Sequence, residues 1–320
     1  MTMLQDAGEK WTGSLNQVVI GATKAEGGTR TSVVTIGGQK SLPFINYEST
    51  TPNRPVVAME IWDREPEDWP KPLLDALGSV VKSPDQWAKK CVEEFGAEMI
   101  CLKLAGIHPD SGNASAKDAA DVVKAVLAAT GAPLIIWGCD YDEKDNEVLP
   151  RCSEAAKGEK CLIGAVNEDN YKTLAASCLA DGHSIIGLSP IDINIAKQIN
   201  ILISEMGFPL DRIVMYPTTG ALGYGLEYSY SIQERGRTAA LGGDKMMSMP
   251  VICMVGQEAW RAKEARAGKD EVPELGDETT RGIYWETATA SALLQAGSDI
   301  LVMRHPAAAK AIKNMITKLM

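Results

Sequence analysis

Polar side chains that end short apolar runs are the places where this chain could do chemistry. Along the sequence they are Asp63, Lys103 with His108, Asp140 with Asp142, Asn167, Ser189 with Asp192, Thr218 with Thr219, Gln257, and Arg304 with His305. Acids, bases and amides of these types can bind a polar ligand, orient it or exchange a proton with it. Their spacing matches no H-x-H or H-E-x-x-H zinc pattern and no nucleophile elbow. His108 precedes a proline and His305 ends its run beside Arg304, so both read as hydrogen-bonded loop histidines. The stretch DYDEKDNE, 140 to 147, lacks the glycine and terminal glutamate of a calcium loop and reads as a solvated acidic loop.

The stretch MYPTTGALGYGLEYSYSIQERGR, 215 to 237, is of another kind. Four of the chain's eight tyrosines lie between positions 216 and 230. Gly220, Gly223 and Gly225 leave backbone N–H groups open to a ligand, and Tyr216, Tyr224 and Tyr228 offer flat faces with a polar tip. That combination suits a large, flat, amide-decorated ligand or a partner surface; the alternative is that the tyrosines are core and the glycines mere turns. DGHSIIG, 181 to 187, approaches the D-x-H-x-x-G motif of cobalamin-binding modules, but three residues separate His183 from Gly187 where the motif has two. The histidine also precedes its apolar run, away from any ligand face.

Composition narrows the class. Hydrophobic residues at 45% and charged ones at 23% are globular values, and no apolar run is long enough to span a bilayer. The opening MTMLQDAGEKW has no basic region followed by an apolar stretch, so no secretory signal is read and a cytoplasmic location is expected. A formal net charge of -10 argues against nucleic acid as a partner. The seven cysteines form no C-x-x-C pair; Cys101, Cys139, Cys161 and Cys253 fall within apolar runs and read as small core hydrophobes.

The elements that must position these residues repeat with a clear rhythm. Eight apolar runs, VVAMEIW (56 to 62), EMICLKLAG (98 to 106), APLIIWGCD (132 to 140), CLIGAVN (161 to 167), HSIIGLSP (183 to 190), RIVMYPT (212 to 218), PVICMVG (250 to 256) and SDILVMRH (298 to 305), alternate with amphipathic stretches, several ending on glycine. Continuous apolar strands signal burial on both faces and a parallel sheet. Eight βα units predict an α/β fold of the (β/α)8 TIM-barrel type, with the polar run ends and the 215–237 stretch on its ligand rim. A doubly wound sheet is the competing architecture, but DREPEDWPKP after the first run has no glycine fingerprint. QVVIGATKAEGGTRTSVVTIGGQ reads as two strands around a turn. The expected organisation is therefore an N-terminal β-hairpin extension, 1–54, followed by a barrel, 55–320.

Three segments, TKAEGGTRTSVVTIGGQKSLPF, PNRPVVAMEIWD and YPTTGALGYGLEYSYSIQERGR, together resemble the small subunit of the corrinoid/iron-sulfur protein of the acetyl-CoA (Wood-Ljungdahl) pathway, the counterpart of the delta subunit of acetyl-CoA decarbonylase/synthase. The resemblance runs over essentially the whole chain. It implies a barrel paired with a large subunit in a heterodimer that carries a cobamide. The cobalt takes a methyl group from methyltetrahydrofolate through a separate methyltransferase and delivers it to acetyl-CoA synthase. It further implies that the large subunit alone holds the iron-sulfur cluster and the corrinoid-binding domain, while this barrel closes over the corrinoid and brings no catalytic residue of its own. On that view Thr218, Thr219, Gly220, Ala221, Leu222, Gly223 and Tyr224 are the expected corrinoid contacts, chosen from rim position and chemistry. Two other readings stay open: a free-standing pterin-dependent methyltransferase-like barrel, with Asp140 and Asn167 pairing to the pterin edge, and an interaction subunit with no ligand contact.

Overall fold

The computed structural model describes residues 8–320. The start of the 1–54 extension, and most of the opening stretch read for a secretory signal, lie outside the described residues. Two strands come first, β1 (Gln17–Ile20) and β2 (Val34–Gly37), paired antiparallel. Eight more follow: β3 (Val56–Trp62), β4 (Met99–Lys103), β5 (Leu134–Trp137), β6 (Leu162–Val166), β7 (Ser184–Leu188), β8 (Ile213–Tyr216), β9 (Ile252–Cys253) and β10 (Ile300–Met303). Helices α1 (Lys71–Leu77) and α2 (Pro84–Glu93) follow β3, and α3 (Ala116–Ala129), α4 (Asp142–Ala155), α5 (Tyr171–Asp181), α6 (Ile193–Glu205) and α7 (Leu226–Leu241) follow the next five strands in turn. After β9 come two short helices, α8 (Val255–Ala259) and α9 (Lys263–Arg266), and the long α10 (Glu278–Ala296); α11 (Pro306–Leu319) follows β10.

The eight strands pair in the order β8-β7-β6-β5-β4-β3-β10-β9, all parallel. The remaining seam, between β8 and β9, is joined by one parallel bridge, Met215 to Val251, where the Met215 N–H donates to Pro250 O at 2.8 Å. The result is the (β/α)8 barrel that eight unbroken apolar runs predict.

Period-two alternation sorts the strand residues between two cores. Val57, Met59 and Ile61 of β3 face the helices, whereas Val56 and Ala58 face the barrel axis, and Glu60 continues that inward row. Lys103 ends the inward row of Met99 and Cys101, Trp137 that of Ile135, and Arg304 that of Ile300 and Val302. The hairpin joins the axial core from the other end: Val18, Ile20, Val34 and Ile36 cluster with the inward residues of the strands. It is fastened there by Gly21 N–H to Lys160 O at 2.8 Å, Thr31 N–H to Gly131 O at 2.9 Å and Asn16 N–H to Ser248 O at 2.6 Å. These partners precede β5, β6 and β9, so the hairpin stoppers the N-terminal end of the barrel.

One expectation is corrected. The acidic stretch 140–147 is not a solvated loop, since residues 142 onward form α4. Asp142, Glu143 and Asp145 occupy its first turn, where carboxylates favour the helix dipole. Asp145 is buried and accepts the Cys139 N–H at 2.8 Å and the Asp140 N–H at 3.1 Å, tying the end of β5 to the helix. Pro150 lies inside this helix and obscures its periodicity in the sequence.

Candidate ligand face at the barrel mouth

The C-terminal end of the barrel is floored by charges that neutralise one another. Glu60, almost fully buried, takes both ends of the Arg304 guanidinium, with Nε at 2.9 Å from one oxygen and Nη2 at 2.7 Å from the other. Burial alone would raise the Glu60 pKa, but the charge and hydrogen bonds of Arg304, joined by the Lys103 charge and the Trp62 N–H, outweigh it and the net shift is downward. The Arg304 guanidinium also lies 4.4 Å from the Trp69 ring centroid and 5.6 Å from that of Trp62, a cation–π arrangement that limits its motion. Beside this pair, Lys103 Nζ donates to Asp140 Oδ2 and to Gln257 Oε1, each at 2.7 Å. Asp140 in turn accepts from Trp137 Nε1 at 3.1 Å, and Trp137 packs edge-on to Tyr216 with ring centroids 4.9 Å apart.

Several polar rim residues are consumed by local structure. Asp63 accepts the Gly106 N–H at 2.8 Å, and burial pushes its carboxyl up to about 6. Asn167 donates to both oxygens of Asp142, at 3.1 and 3.0 Å, so the Asp140 and Asn167 side chains are both committed to partners within the chain. Asp192 caps α6. His108 and His305 each accept a backbone N–H two residues on, at 3.1 Å, as the loop reading expects. His183 sits at the opposite end of the barrel, accepting the Cys161 N–H at 3.0 Å and lying 2.9 Å from Ser153 O. All seven cysteines are buried and free, and burial drives the Cys139 thiol up to about 12 and the Cys253 thiol to about 11, so both stay protonated. Among the described residues no group of three His, Cys, Asp or Glu could hold a metal ion.

The loop from Thr218 to Gly225 rises beside this floor and is fixed at many points. Thr218 holds φ at 56°, a left-handed value that a β-branched residue adopts only under constraint, and its hydroxyl donates to Ser189 O at 2.6 Å. Thr219, buried, accepts the Met254 N–H at 3.0 Å. The Gly220 N–H is not open to a ligand, because it donates to Ser229 Oγ at 2.6 Å; a side chain here would meet Gly225 O at 2.4 Å. Ala221 is buried, and its carbonyl accepts the Tyr224 N–H at 2.8 Å. Gly223 and Gly225 take φ of 76° and 86°, which turn the chain back into α7.

The tyrosines divide. Tyr216 is buried in the axial core, whereas Tyr224 is 46% and Tyr228 62% exposed, alongside Leu222 at 36%. The Tyr224 hydroxyl is anchored to α9, donating to Glu264 Oε2 at 2.9 Å and accepting the Lys263 N–H at 3.2 Å. Leu222 and Tyr224 thus stand on a braced loop at the mouth, forming an apolar ledge.

Sequence reasoning passed over Glu60, Trp137 and Glu286. Glu60 was detectable as the lone charge within an apolar run, but Glu286 sits in a helix whose sequence gives no sign that its carboxylate is buried.

Comparison with known proteins places this geometry. Residues 17–318 match the family described as CO dehydrogenase/acetyl-CoA synthase delta subunit. The acetyl-CoA decarbonylase/synthase complex subunit delta of Archaeoglobus fulgidus is 36% identical over 316 residues, covering 97% of this chain and 70% of that one. Subunit delta of Methanocaldococcus jannaschii is also 36% identical, over 96% of this chain and 74% of its own. Among solved structures, dihydropteroate synthase from Xanthomonas albilineans with 4-aminobenzoic acid overlays with a TM-score of 0.58 at 13% identity, covering 84% of this chain and 94% of that one. The Thermus thermophilus dihydropteroate synthase gives 0.54 at 16%, covering 83% and 95%. The second pair is a likeness of barrel; the first, spanning hairpin and barrel alike at more than a third identity, means that the chain belongs to the delta subunit family of CO dehydrogenase/acetyl-CoA synthase.

Proposed function

We propose that this delta-family chain is the small subunit of a heterodimeric methyl carrier, and that its barrel mouth covers one face of a cobamide held from the other side by a large subunit. The observation that carries this reading is the Leu222–Tyr224 ledge, apolar, exposed and braced, at the ligand end of a delta-family barrel. When bound, the cobamide supplies a cobalt centre that carries a methyl group between a methyltetrahydrofolate methyltransferase and acetyl-CoA synthase. The chain's own residues bind and shield. Leu222 and the Tyr224 ring give apolar contact that excludes water, while Thr218, Thr219, Gly220, Ala221 and Gly223 set the backbone that presents them. Iron-sulfur chemistry belongs to the large subunit on this reading, as the resemblance implies.

The test is a visible absorption spectrum of the chain, of the large subunit and of the two together, each desalted after incubation with hydroxocobalamin. Corrinoid bands retained by the pair, lost from this chain alone, and weakened about tenfold in affinity (~1.4 kcal/mol) by Leu222→Asp with unchanged thermal stability are the expected result. Tight retention by this chain alone, or indifference of the pair to Leu222→Asp, overturns it.

A further inference from the structure

Within the mouth loop one residue is held differently from the rest. Both peptide groups of Leu222 are satisfied by side chains of α10, four residues apart and so on one face of that helix. Leu222 N–H donates to Thr289 Oγ1 at 3.1 Å, and Trp285 Nε1–H donates to Leu222 O at 3.0 Å. The Thr289 hydroxyl spends its own proton on Trp285 O at 2.8 Å, which leaves its lone pairs facing the Leu222 amide. The three bonds close a ring through Leu222, Thr289 and Trp285. The indole also lies beneath Gly223, where the position of an added Cβ is 3.8 Å from the Trp285 ring.

Holding the N–H and the C=O of one residue fixes the direction of its side chain, and Leu222 points outward. Loop tips are ordinarily the most mobile part of a barrel. Here Thr289 is fully buried in α10, so the clamp is part of a rigid helix that packs on the barrel. We infer that Trp285 and Thr289 are positioning residues, which hold Leu222 in the orientation that meets the cobamide and the subunit carrying it. This rests on the function proposed above, and it assigns to α10 a role in ligand affinity without ligand contact.

The test uses Thr289→Val, which keeps the shape and removes the hydroxyl, Trp285→Phe, which removes the N–H, and Thr289→Ser as the conservative control. Amide hydrogen exchange at Leu222 is measured on the full chain without cobamide, and affinity is measured as hydroxocobalamin retention with the large subunit. Both disabling variants are expected to speed exchange at Leu222 by about tenfold or more and to weaken retention by a similar factor, with thermal midpoints close to the parent and Thr289→Ser behaving as the parent. Unchanged exchange overturns the clamp. Faster exchange with unchanged retention overturns the role in affinity. If the unsubstituted pair retains no corrinoid, the proposed function falls, and exchange at Leu222 alone decides whether α10 positions the loop.

Discussion

Glu286 receives the Arg304 N–H at 2.6 Å, the His305 N–H at 3.1 Å and Trp260 Nε1–H at 2.8 Å, so every contact made to its oxygens comes from a donor. Full burial nevertheless pushes its pKa up to about 7. The folded chain therefore binds a proton here that the unfolded chain releases near the ordinary value of 4.5, and stability falls as pH rises from about 4.5 through about 7. His305 acts in the opposite sense: burial lowers it to about 4, so its contribution to stability is lost as pH falls from about 6.5 towards 4. Glu286→Gln separates the two. Relative to the parent, the variant is expected to gain on the order of 3 kcal/mol between pH 4.5 and 8, read from urea unfolding at both ends. A difference that does not change with pH would mean that the three donors keep the folded carboxylate ionised throughout. At this scale the sequence was partly legible. A lone Glu60 in VVAMEIW signals a buried partner, but that the partner is Arg304, 244 residues away, depends on β3 and β10 lying side by side.

At the scale of elements, α10 supplies the mouth with three fastenings. Trp285 and Thr289 hold the loop after β8, and Glu286 holds the turn after β10. Its composition does not advertise this, because Thr and Trp are ordinary helix residues and the partners come from distant loops. One glycine does mark its packing. Gly282 lies in the helix interior, where alanine is normally better by about 1 kcal/mol. A Cβ at Gly282 would meet the Trp260 ring at 2.2 Å. Gly282→Ala is accordingly expected to destabilise by about 1–3 kcal/mol through overpacking, and a stabilised variant in thermal or urea unfolding would show that Trp260 moves freely. Element identity was readable where apolar runs were unbroken, hence all eight barrel strands. It failed at α4, where acids crowd the first turn and Pro150 interrupts the pattern, because the buried Asp145 that ties the helix to β5 looks in sequence like one more surface acid.

For the whole molecule, the hairpin is a structural closure, and Arg30 is its chief fastening. Its buried guanidinium reaches Glu159 Oε2 at 2.8 Å and the carbonyls of Thr130 and Leu127 at 2.6 Å each. Arg30→Ala is expected to cost about 3–5 kcal/mol in urea unfolding, since the buried Glu159 would be left without its charge partner. A loss under 1 kcal/mol would mean that apolar contact alone seats the hairpin. The two strands and their turn were legible in the sequence; their destination was not, because alternating valine and isoleucine show that a face must be buried without showing where. That destination bears on the order in which the molecule is made. The hairpin's fastenings span long stretches of chain: 129 residues from Arg30 to Glu159, 194 from Asn16 to Leu210 and 260 from Gln39 to Asp299. During synthesis the face of Val18, Ile20, Val34 and Ile36 leaves the ribosome while the barrel that will cover it is still untranslated. Partners as far along the chain as Asp299 must be made before every fastening can close, so the long sequence separations make full seating of the stopper a late step in folding.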